Sequence, residues 1–216
     1  MFWLSALYAC FSKREVSKRE EVVDNLVDNI VTKSLDRLVK VHAINSADTE
    51  VYKFGIEVTL LKIIHYTSYF LISLWMKRVF EGVIIISVYY GFRCNVGGYH
   101  AKTRIGCYIF SCLAVFISLL AVDYNISPLA MIIIALINLV VLISLPAVSN
   151  ENRKVEPEEE ELFRRRLYRV TFLFIAAFIV TSILQGWSLV WLYTIGLILA
   201  SLLLVLGRIV LLINPK

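Results

Sequence analysis

The chain has 216 residues, of which 59% are hydrophobic and 18% are charged, and its mean hydropathy is +0.74. Soluble domains are about 45–50% apolar, so this composition excludes an ordinary soluble domain, and the long apolar runs predict several membrane spans. The net charge is +5, and the basic residues cluster beside these runs. This pattern indicates that they set the membrane topology and contact lipid headgroups. No nucleic-acid-binding motif appears in the sequence.

The N-terminal region, residues 1–50, is predicted to be cytoplasmic or interfacial and to precede a transmembrane domain over residues 51–216. Residues 1–11 are mostly apolar but too short to span, and basic residues follow them, which favours an interfacial anchor over a signal peptide. Residues 21–41 repeat apolar side chains at spacings of three and four, which predicts an amphipathic helix. Such a helix can lie on the membrane, pack on the bundle or bind a partner helix.

Six apolar segments follow, and they predict an all-α integral membrane protein. The segments are residues 54–76, 79–93, 105–122, 127–148, 167–185 and 188–213. Most reach the roughly 20 residues that a bilayer core requires, whereas the second covers only about 22 Å of helix. Either neighbouring residues extend the second segment, or the loop after it begins below the membrane surface.

Basic residues are distributed unevenly among the predicted loops. They are concentrated before the first segment, after the second and after the fourth, whereas the opposite loops hold only Lys77 and Arg78. The positive-inside rule then puts both termini in the cytoplasm. A re-entrant pair formed by the first two segments would leave this orientation unchanged.

Residues 150–169 are predicted to contain a solvated helix start at Pro157, with a peptide contact as the second interpretation.

Residues 91–112, GFRCNVGGYHAKTRIGCYIFSC, differ from the rest of the chain. They contain three of the four cysteines, one of the three histidines and four of the nine glycines. The pair Gly97–Gly98 permits a tight or left-handed turn, and Thr103 is suited to cap the next helix. These cysteines lie near the predicted cytoplasmic side, where thiols stay reduced, so a disulfide framework is not expected.

Cys107 and His100 are candidates for a nucleophile and its base. On one continuous helix they would be about 10.5 Å apart along the axis, which is too far for the hydrogen bond that such a pair needs. A working pair therefore requires His100 to lie on a loop folded back over the first turn of the helix that carries Cys107. The helix dipole and three nearby cations would favour the thiolate: Arg93, Lys102 and Arg104.

Other interpretations of these residues stay open at this point. A cysteine in a membrane helix is usually a small apolar packing residue, and a histidine at a membrane edge is often an interfacial polar group. A metal site built from the cysteines and His100 is disfavoured by their irregular spacing.

Two residues of the first apolar segment also carry polar groups into the membrane. Glu57 is a candidate to orient His100, although its position near the cytoplasmic end also suits a solvated side chain. His65 lies deeper, where a polar contact between helices is the first interpretation and a functional role is the second. Asp123 is predicted on the external side and is rejected as an orienting group.

The run Arg93–x4–Gly98–x–His100–Ala101–x5–Cys107 resembles the signature of the AgrB family, the accessory gene regulator B peptidases. In that family an Arg, a Gly, a His and a Cys recur at this spacing between the second and third hydrophobic segments. Residues 50–58 (EVYKFGIEV) and 146–166 (PAVSNENRKVEPEEEELFRRR) also resemble the regions that flank the family's first and fourth spans.

The resemblance implies a multi-pass protein of the bacterial cytoplasmic membrane with its catalytic pair near the cytoplasmic face. It implies a cysteine endopeptidase that cleaves the C-terminal part off an AgrD-like propeptide and supports closure of a thiolactone or lactone ring, giving a quorum-sensing peptide. Cys107 would be the nucleophile, His100 the base, and Arg93 and Gly98 supporting loop residues.

The expected partners are the AgrD-like propeptide and the lipid bilayer, with no nucleic acid, metal or organic cofactor, and a homo-oligomer is left open. Two alternatives belong to other classes of protein. A peptide exporter would need a polar path, yet the last three segments contain almost no charge. A non-catalytic membrane module would need no reactive thiol.

Overall fold

The structure, a computed structural model, describes residues 13–41, 44, 48–99, 101, 103–146 and 157–213. These residues form α-helices joined by short turns, as the sequence predicted. The helices are α1 (Lys13–Lys40), α2 (Thr49–Trp75), α3 (Val79–Val96), α4 (Arg104–Leu120, with a 3-10 turn at Ala121–Asp123), α5 (Pro128–Ser144), α6 (Pro157–Ile183) and α7 (Trp187–Ile213).

Five of the described helices are long and apolar enough to cross a membrane: α2, α3, α4 with its 3-10 turn, α6 and α7. The all-α membrane fold is therefore confirmed. The predicted fourth segment corresponds to α5, which is shorter, at 17 residues, or about 25 Å. It ends at Ser144 because Leu145 precedes Pro146 and takes an extended conformation, with φ −83° and ψ 132°.

The predicted second segment is longer in the structure than its apolar run suggested. Helix α3 continues past Arg93 to Val96 and has 18 residues, or about 27 Å. Of the two sequence-based alternatives, extension by neighbouring residues is therefore the one observed. The extra turn carries Asn95 and Val96, which are both buried.

The described residues form two compact units. The N-terminal unit comprises the described residues of 1–68 together with those of 101–110, and the core unit comprises the described residues of 69–100 and 111–216. In the N-terminal unit, α1 is amphipathic as predicted. One face buries Val27 and Val31, whereas Val22, Leu26 and Ile30 are exposed.

The core unit is built around α7, whose apolar side chains join two buried clusters. One cluster contains Ile85, Leu119 and Val190. The other contains Phe92 and Leu204 with residues of α5 and α6. In the other candidate spans at most 22% of the most apolar window is buried, against 50% in α7. Their exposed side chains are largely Leu, Ile, Val and Phe, which suits contact with lipid chains.

Two polar contacts identify the ends of the core unit. The Arg78 guanidinium donates to both carboxylate oxygens of Asp123 at 2.6 Å, which puts the turn after α2 beside the turn after α4. Arg208 near the end of α7 donates to the carbonyl of Pro146, just after α5. Both pairs join segments that the sequence predicted to share a side of the membrane, and the assignment of those sides to cytoplasm and exterior stays a prediction.

A close backbone approach joins α3 to α7 at Gly196. A Cβ atom at this position would lie 2.8 Å from both the carbonyl oxygen of Ile85 and the Cβ of Val88. We expect Gly196→Ala to destabilise the protein by about 1–3 kcal/mol, because the two helices must separate. The matched control is Gly55→Ala, because its Cβ would meet nothing within 4 Å.

The measurement is the midpoint of thermal unfolding of the detergent-solubilised protein. Gly55→Ala should leave the midpoint unchanged or raise it slightly, because Ala is favoured over Gly in a helix by up to about 1 kcal/mol. Equal midpoints for Gly196→Ala and wild type would show that α3 and α7 do not approach this closely.

Candidate active site

Cys107 lies one turn inside the start of α4, as the sequence predicted. Thr103 precedes the helix and caps it, because its Oγ1 accepts the Gly106 N–H at 3.1 Å and its carbonyl accepts the Cys107 N–H at 3.0 Å. The Cys107 side chain is half-buried, and none of Cys94, Cys107 and Cys112 forms a disulfide. Cys112 differs from Cys107, because it packs against a buried apolar cluster of the core unit.

The imidazole of His65, on α2, lies against α4 beside Cys107 and Tyr108. Its Nδ1 contacts the carbonyl oxygen of Leu61, at 2.7 Å. A carbonyl oxygen only accepts, so Nδ1 carries the proton of the neutral ring.

Tyr108 packs against the His65 ring, and Ser68 forms a hydrogen bond with Tyr108. The Tyr108 and His65 rings meet edge to face, with centroids 5.4 Å apart and an interplanar angle of 75°. Ser68 donates its hydroxyl to the carbonyl of Ile64 at 2.9 Å, so Tyr108 donates to Ser68 Oγ, at 2.7 Å. The donor and the acceptor of the hydrogen bond between Tyr108 and Ser68 are thus defined.

Helices α2 and α4 run in the same direction within the N-terminal unit. Their contacts advance together along both helices: Glu57 with Arg104, His65 with Cys107, and Ser68 with Tyr108. His65 and Cys107 are therefore about 24 Å along α2 from its first residue. Arg104, the first residue of α4, contacts Glu57, which lies about 12 Å along α2 from its first residue.

Arg104 is surrounded by acidic side chains from α1 and α2. Its guanidinium lies 2.8 Å from Asp24, 3.6 Å from Asp28 and 2.6 Å from Glu57. These three carboxylates offset its charge, and the expectation that Arg93, Lys102 and Arg104 favour the Cys107 thiolate stays a prediction. Glu57 contacts Arg104 here, and its role in orienting His100 stays a prediction.

The loop after α3 is fixed on α7 within the core unit. Gly97 and Gly98 both have positive φ, 67° and 139°, as the sequence suggested for this glycine pair. The Arg93 guanidinium donates to the carbonyls of Gly97 at 2.5 Å and Tyr99 at 2.7 Å. The Tyr99 N–H donates to the carbonyl of Leu203 at 2.8 Å.

The packing of this loop on α7 leaves no room for a Cβ atom at Gly98 or at Gly207. A Cβ on Gly98 would lie 1.7 Å from an Arg93 nitrogen, and one on Gly207 of α7 would lie 2.6 Å from the Tyr99 nitrogen. Arg93 and Gly98 therefore shape this loop, and their role in supporting a catalytic site stays a prediction. His100 follows directly, but it lies outside the described residues, as does Lys102, so its pairing with Cys107 stays a prediction.

The contact that sequence reasoning missed is the one between His65 and Cys107. An ionisable residue within a membrane span is by default a candidate for function, and that signal did single out His65. What the sequence lacked was the register between α2 and α4, which decides that the imidazole faces this thiol.

The comparisons with known proteins agree with the motif. A family model described as Accessory gene regulator B matches residues 25–207, which is most of the chain. The matched region includes the contacts around Cys107 and the loop after α3. Searches of curated proteins and of solved structures gave no match.

We expect Gly98→Ala to detach the loop after α3 from α7, because its φ of 139° disfavours a side chain and its Cβ would collide with Arg93. The measurement is hydrogen–deuterium exchange of peptides covering residues 97–99, where the Tyr99 amide should lose its protection. The matched control is Gly91→Ala in α3, whose Cβ would make only an ordinary contact with Val170 at 3.5 Å. Unchanged protection in Gly98→Ala would contradict this loop conformation.

Proposed function

The chain belongs to the accessory gene regulator B (AgrB) family, and on that premise we propose that it is a membrane cysteine endopeptidase with Cys107 as nucleophile and His100 as general base. Membership itself supports a role in processing the AgrD-type propeptide of accessory gene regulator quorum sensing. The five long apolar helices and the family together support a multi-pass membrane location.

In the proposed reaction the Cys107 sulfur attacks the scissile carbonyl carbon of the propeptide. The C–N bond breaks, the C-terminal fragment leaves as an amine, and the N-terminal part stays on the enzyme as a thioester. The propeptide's own Cys or Ser side chain then attacks this thioester, which releases Cys107 and closes a thiolactone or lactone ring.

The setting of the Cys107 thiol is the observation that carries this proposal. The thiol lies one turn inside a capped helix start, where the helix dipole favours a thiolate. It is half-buried, and the His65 imidazole lies beside it. A packing cysteine in a lipid-facing helix would need none of these features.

The position of the thiol along the helices also suits cyclisation. Cys107 is level with His65, about 24 Å along α2, and not with the first turn of that helix. A recessed site restricts water, and restricting water protects a thioester from hydrolysis until the propeptide's own nucleophile attacks. This arrangement favours ring closure over release of a linear peptide.

The exposed apolar face of α1 is proposed to bind an amphipathic part of the propeptide. Leu26 and Ile30 are 56% and 46% exposed. Ile30 also lines a groove of about 430 Å³ between α1 and the first turns of α2, whose lining is almost entirely apolar. An apolar helix face laid in such a groove is a common mode of peptide recognition.

The catalytic proposal is tested with the purified protein in liposomes and the AgrD-type propeptide encoded beside it, followed by intact-mass spectrometry. We expect wild type to release a C-terminal fragment and to form a hydroxylamine-sensitive adduct. Cys107→Ala should abolish both, and His100→Ala should slow release by about 10²–10⁴-fold, the usual contribution of a general base.

The matched control for this experiment is Cys112→Ala. Cys112 lies on the same helix but packs against apolar side chains, so its loss should leave the rate of release within about twofold of wild type. Release by Cys107→Ala at the wild-type rate would refute the proposed nucleophile.

The binding proposal is tested by changing both Leu26 and Ile30 to Gln. We expect the propeptide concentration at half-maximal rate to rise about tenfold, because about 1.4 kcal/mol of apolar contact would be lost. The thermal midpoint should stay unchanged, since both side chains are exposed. Val31→Asn is the contrasting variant: Val31 is 1% exposed, so its loss should lower the midpoint. An unchanged concentration dependence in the Gln variant would exclude this face as the peptide site.

A further inference from the structure

The first turns of α6 separate their charges along the helix axis. Glutamates occupy positions 158–161, arginines occupy positions 164–166 and 169, and an apolar stretch begins at Val170. At 1.5 Å per residue, Arg169 lies about 5 Å from Phe172 and about 12 Å from Glu161 along the axis. The arginines therefore lie between the apolar part of a candidate span and its acidic first turn, at the level of the phospholipid headgroups.

These arginines differ in what they contact. Arg165 lies 2.6 Å from Glu161, one turn earlier, so a carboxylate offsets its charge. In the part of the chain that the structure describes, Arg166 and Arg169 form no ion pair and no hydrogen bond, and both are exposed. Two guanidinium groups at the level of the headgroups are therefore left with donors that no described protein atom accepts.

Two further arginines at this end of the core unit bind protein atoms instead. Arg93 donates to two carbonyls of the loop after α3, and Arg208 donates to the carbonyl of Pro146. Pro146 lines a small recess together with Arg164 of α6, so the start of α6 lies at the same end as these contacts. Arg164 is exposed as well, but it borders the recess.

Arg169 faces away from the core unit. Leu167 and Thr171 are buried residues of α6. Arg169 is two residues from each of them, and two residues correspond to about 200° around a helix, so Arg169 lies on the opposite side. Phe172 and Leu173, about one turn further along that side, are 71% and 66% exposed. In a membrane span, such exposed apolar side chains contact lipid chains.

The geometry of a helix directs the Arg169 side chain towards the headgroups. Side chains on a helix tilt towards its N-terminus, which in α6 is the end away from the apolar stretch. The stem of an arginine covers apolar surface while its guanidinium stays in the polar layer. Tyr168 beside it is 53% exposed, and tyrosine is enriched at membrane interfaces. Arg166, one turn earlier, is close enough to reach the same ligand.

We propose that Arg166 and Arg169 bind the phosphate of an anionic phospholipid whose acyl chains lie against Phe172 and Leu173. Guanidinium groups match phosphate oxygens as paired donors. A phosphatidylglycerol headgroup brings a net negative charge to the two arginines, whereas a phosphatidylcholine headgroup carries its own cation. Each unpaired arginine therefore favours the anionic lipid by about fivefold.

The lipid site does not depend on the proposed peptidase reaction, because it uses none of the residues assigned to that reaction. A bound lipid would set the depth of α6 in the bilayer, since its phosphate holds the arginines at the surface and its chains cover the apolar residues below. The direct succession of unpaired cations and exposed apolar side chains favours a lipid over an acidic peptide, because a lipid is charged at one end and apolar along the rest.

The test uses the full chain in phosphatidylcholine liposomes that contain a trace of a photoactivatable lipid with a diazirine in its acyl chain. The probe is either phosphatidylglycerol or phosphatidylcholine, and no propeptide is added. Peptide mass spectrometry locates the crosslinks, and the ratio of labelling by the two probes gives the headgroup preference of each segment. The exposed residues Leu136 and Ile137 of α5 provide an internal reference.

In wild type we expect phosphatidylglycerol to label residues 170–176 about 25-fold more than phosphatidylcholine does, whereas the two probes should label Leu136 and Ile137 equally. Arg169→Gln should lower the ratio on α6 about fivefold, and the further change Arg166→Gln should bring it close to one. The matched control is Arg164→Gln, which removes the same charge from an exposed arginine that borders the recess and should leave the ratio unchanged. All variants should keep the wild-type midpoint of thermal unfolding, because these side chains are exposed.

The inference is overturned if the wild-type ratio on α6 equals the ratio on α5. It is also overturned if Arg164→Gln lowers the ratio as much as Arg169→Gln does, because the attraction would then follow net charge and not a site. An acidic segment of the propeptide is the competing ligand. If Arg169→Gln leaves the ratio unchanged and raises the propeptide concentration at half-maximal processing, these arginines bind peptide and the lipid site fails. Because the crosslinking needs no propeptide, failure of the proposed function would leave its result unaffected.

Discussion

The contact of Arg104 with three carboxylates sets the register on which the N-terminal unit depends. One guanidinium at the start of α4 binds Asp24 and Asp28 of α1 and Glu57 of α2. Exposed ion pairs contribute only about 0–1 kcal/mol each, but the pair of Arg104 with Glu57 is partly buried, and the group joins three helices. Lipid chains are as apolar as leucine, so apolar faces alone do not select one register between spans, and polar contacts of this kind do.

The candidate site follows from that register. With Arg104 level with Glu57, the next turns of α4 put Cys107 and Tyr108 beside His65 and Ser68.

In the core unit, glycines instead of charges decide the packing. Gly196 lets α7 approach the backbone of α3, and Gly207 makes room for the Gly98–Tyr99 backbone. Arg93 then caps two carbonyls of the loop whose next residue is His100. These are the small-residue contacts by which membrane helices come close enough to exclude lipid.

The sequence by itself determined the membrane class, the amphipathic α1, the capped start of α4 and the importance of residues 91–112. Each of these depends on local periodicity, on hydropathy or on glycine and Thr103 chemistry, which neighbouring residues specify. The sequence also assigned Arg93 and Gly98 to the loop through a resemblance to a family. The match of the family model to residues 25–207 confirms that resemblance. The end of α5 at Ser144 was missed, although Pro146 carried the signal.

Only the tertiary structure decided which polar groups meet. His65 was visible as an ionisable residue in a span, and Arg104 as a cation near Cys107, but their partners come from other helices, distant along the chain. Hydropathy gives the length of a span and not its rotation or its register, because each lipid-facing side of an apolar helix is equivalent until another helix packs on it. The placement of His65 beside Cys107 and the ion pairs of Arg104 are consequences of that packing.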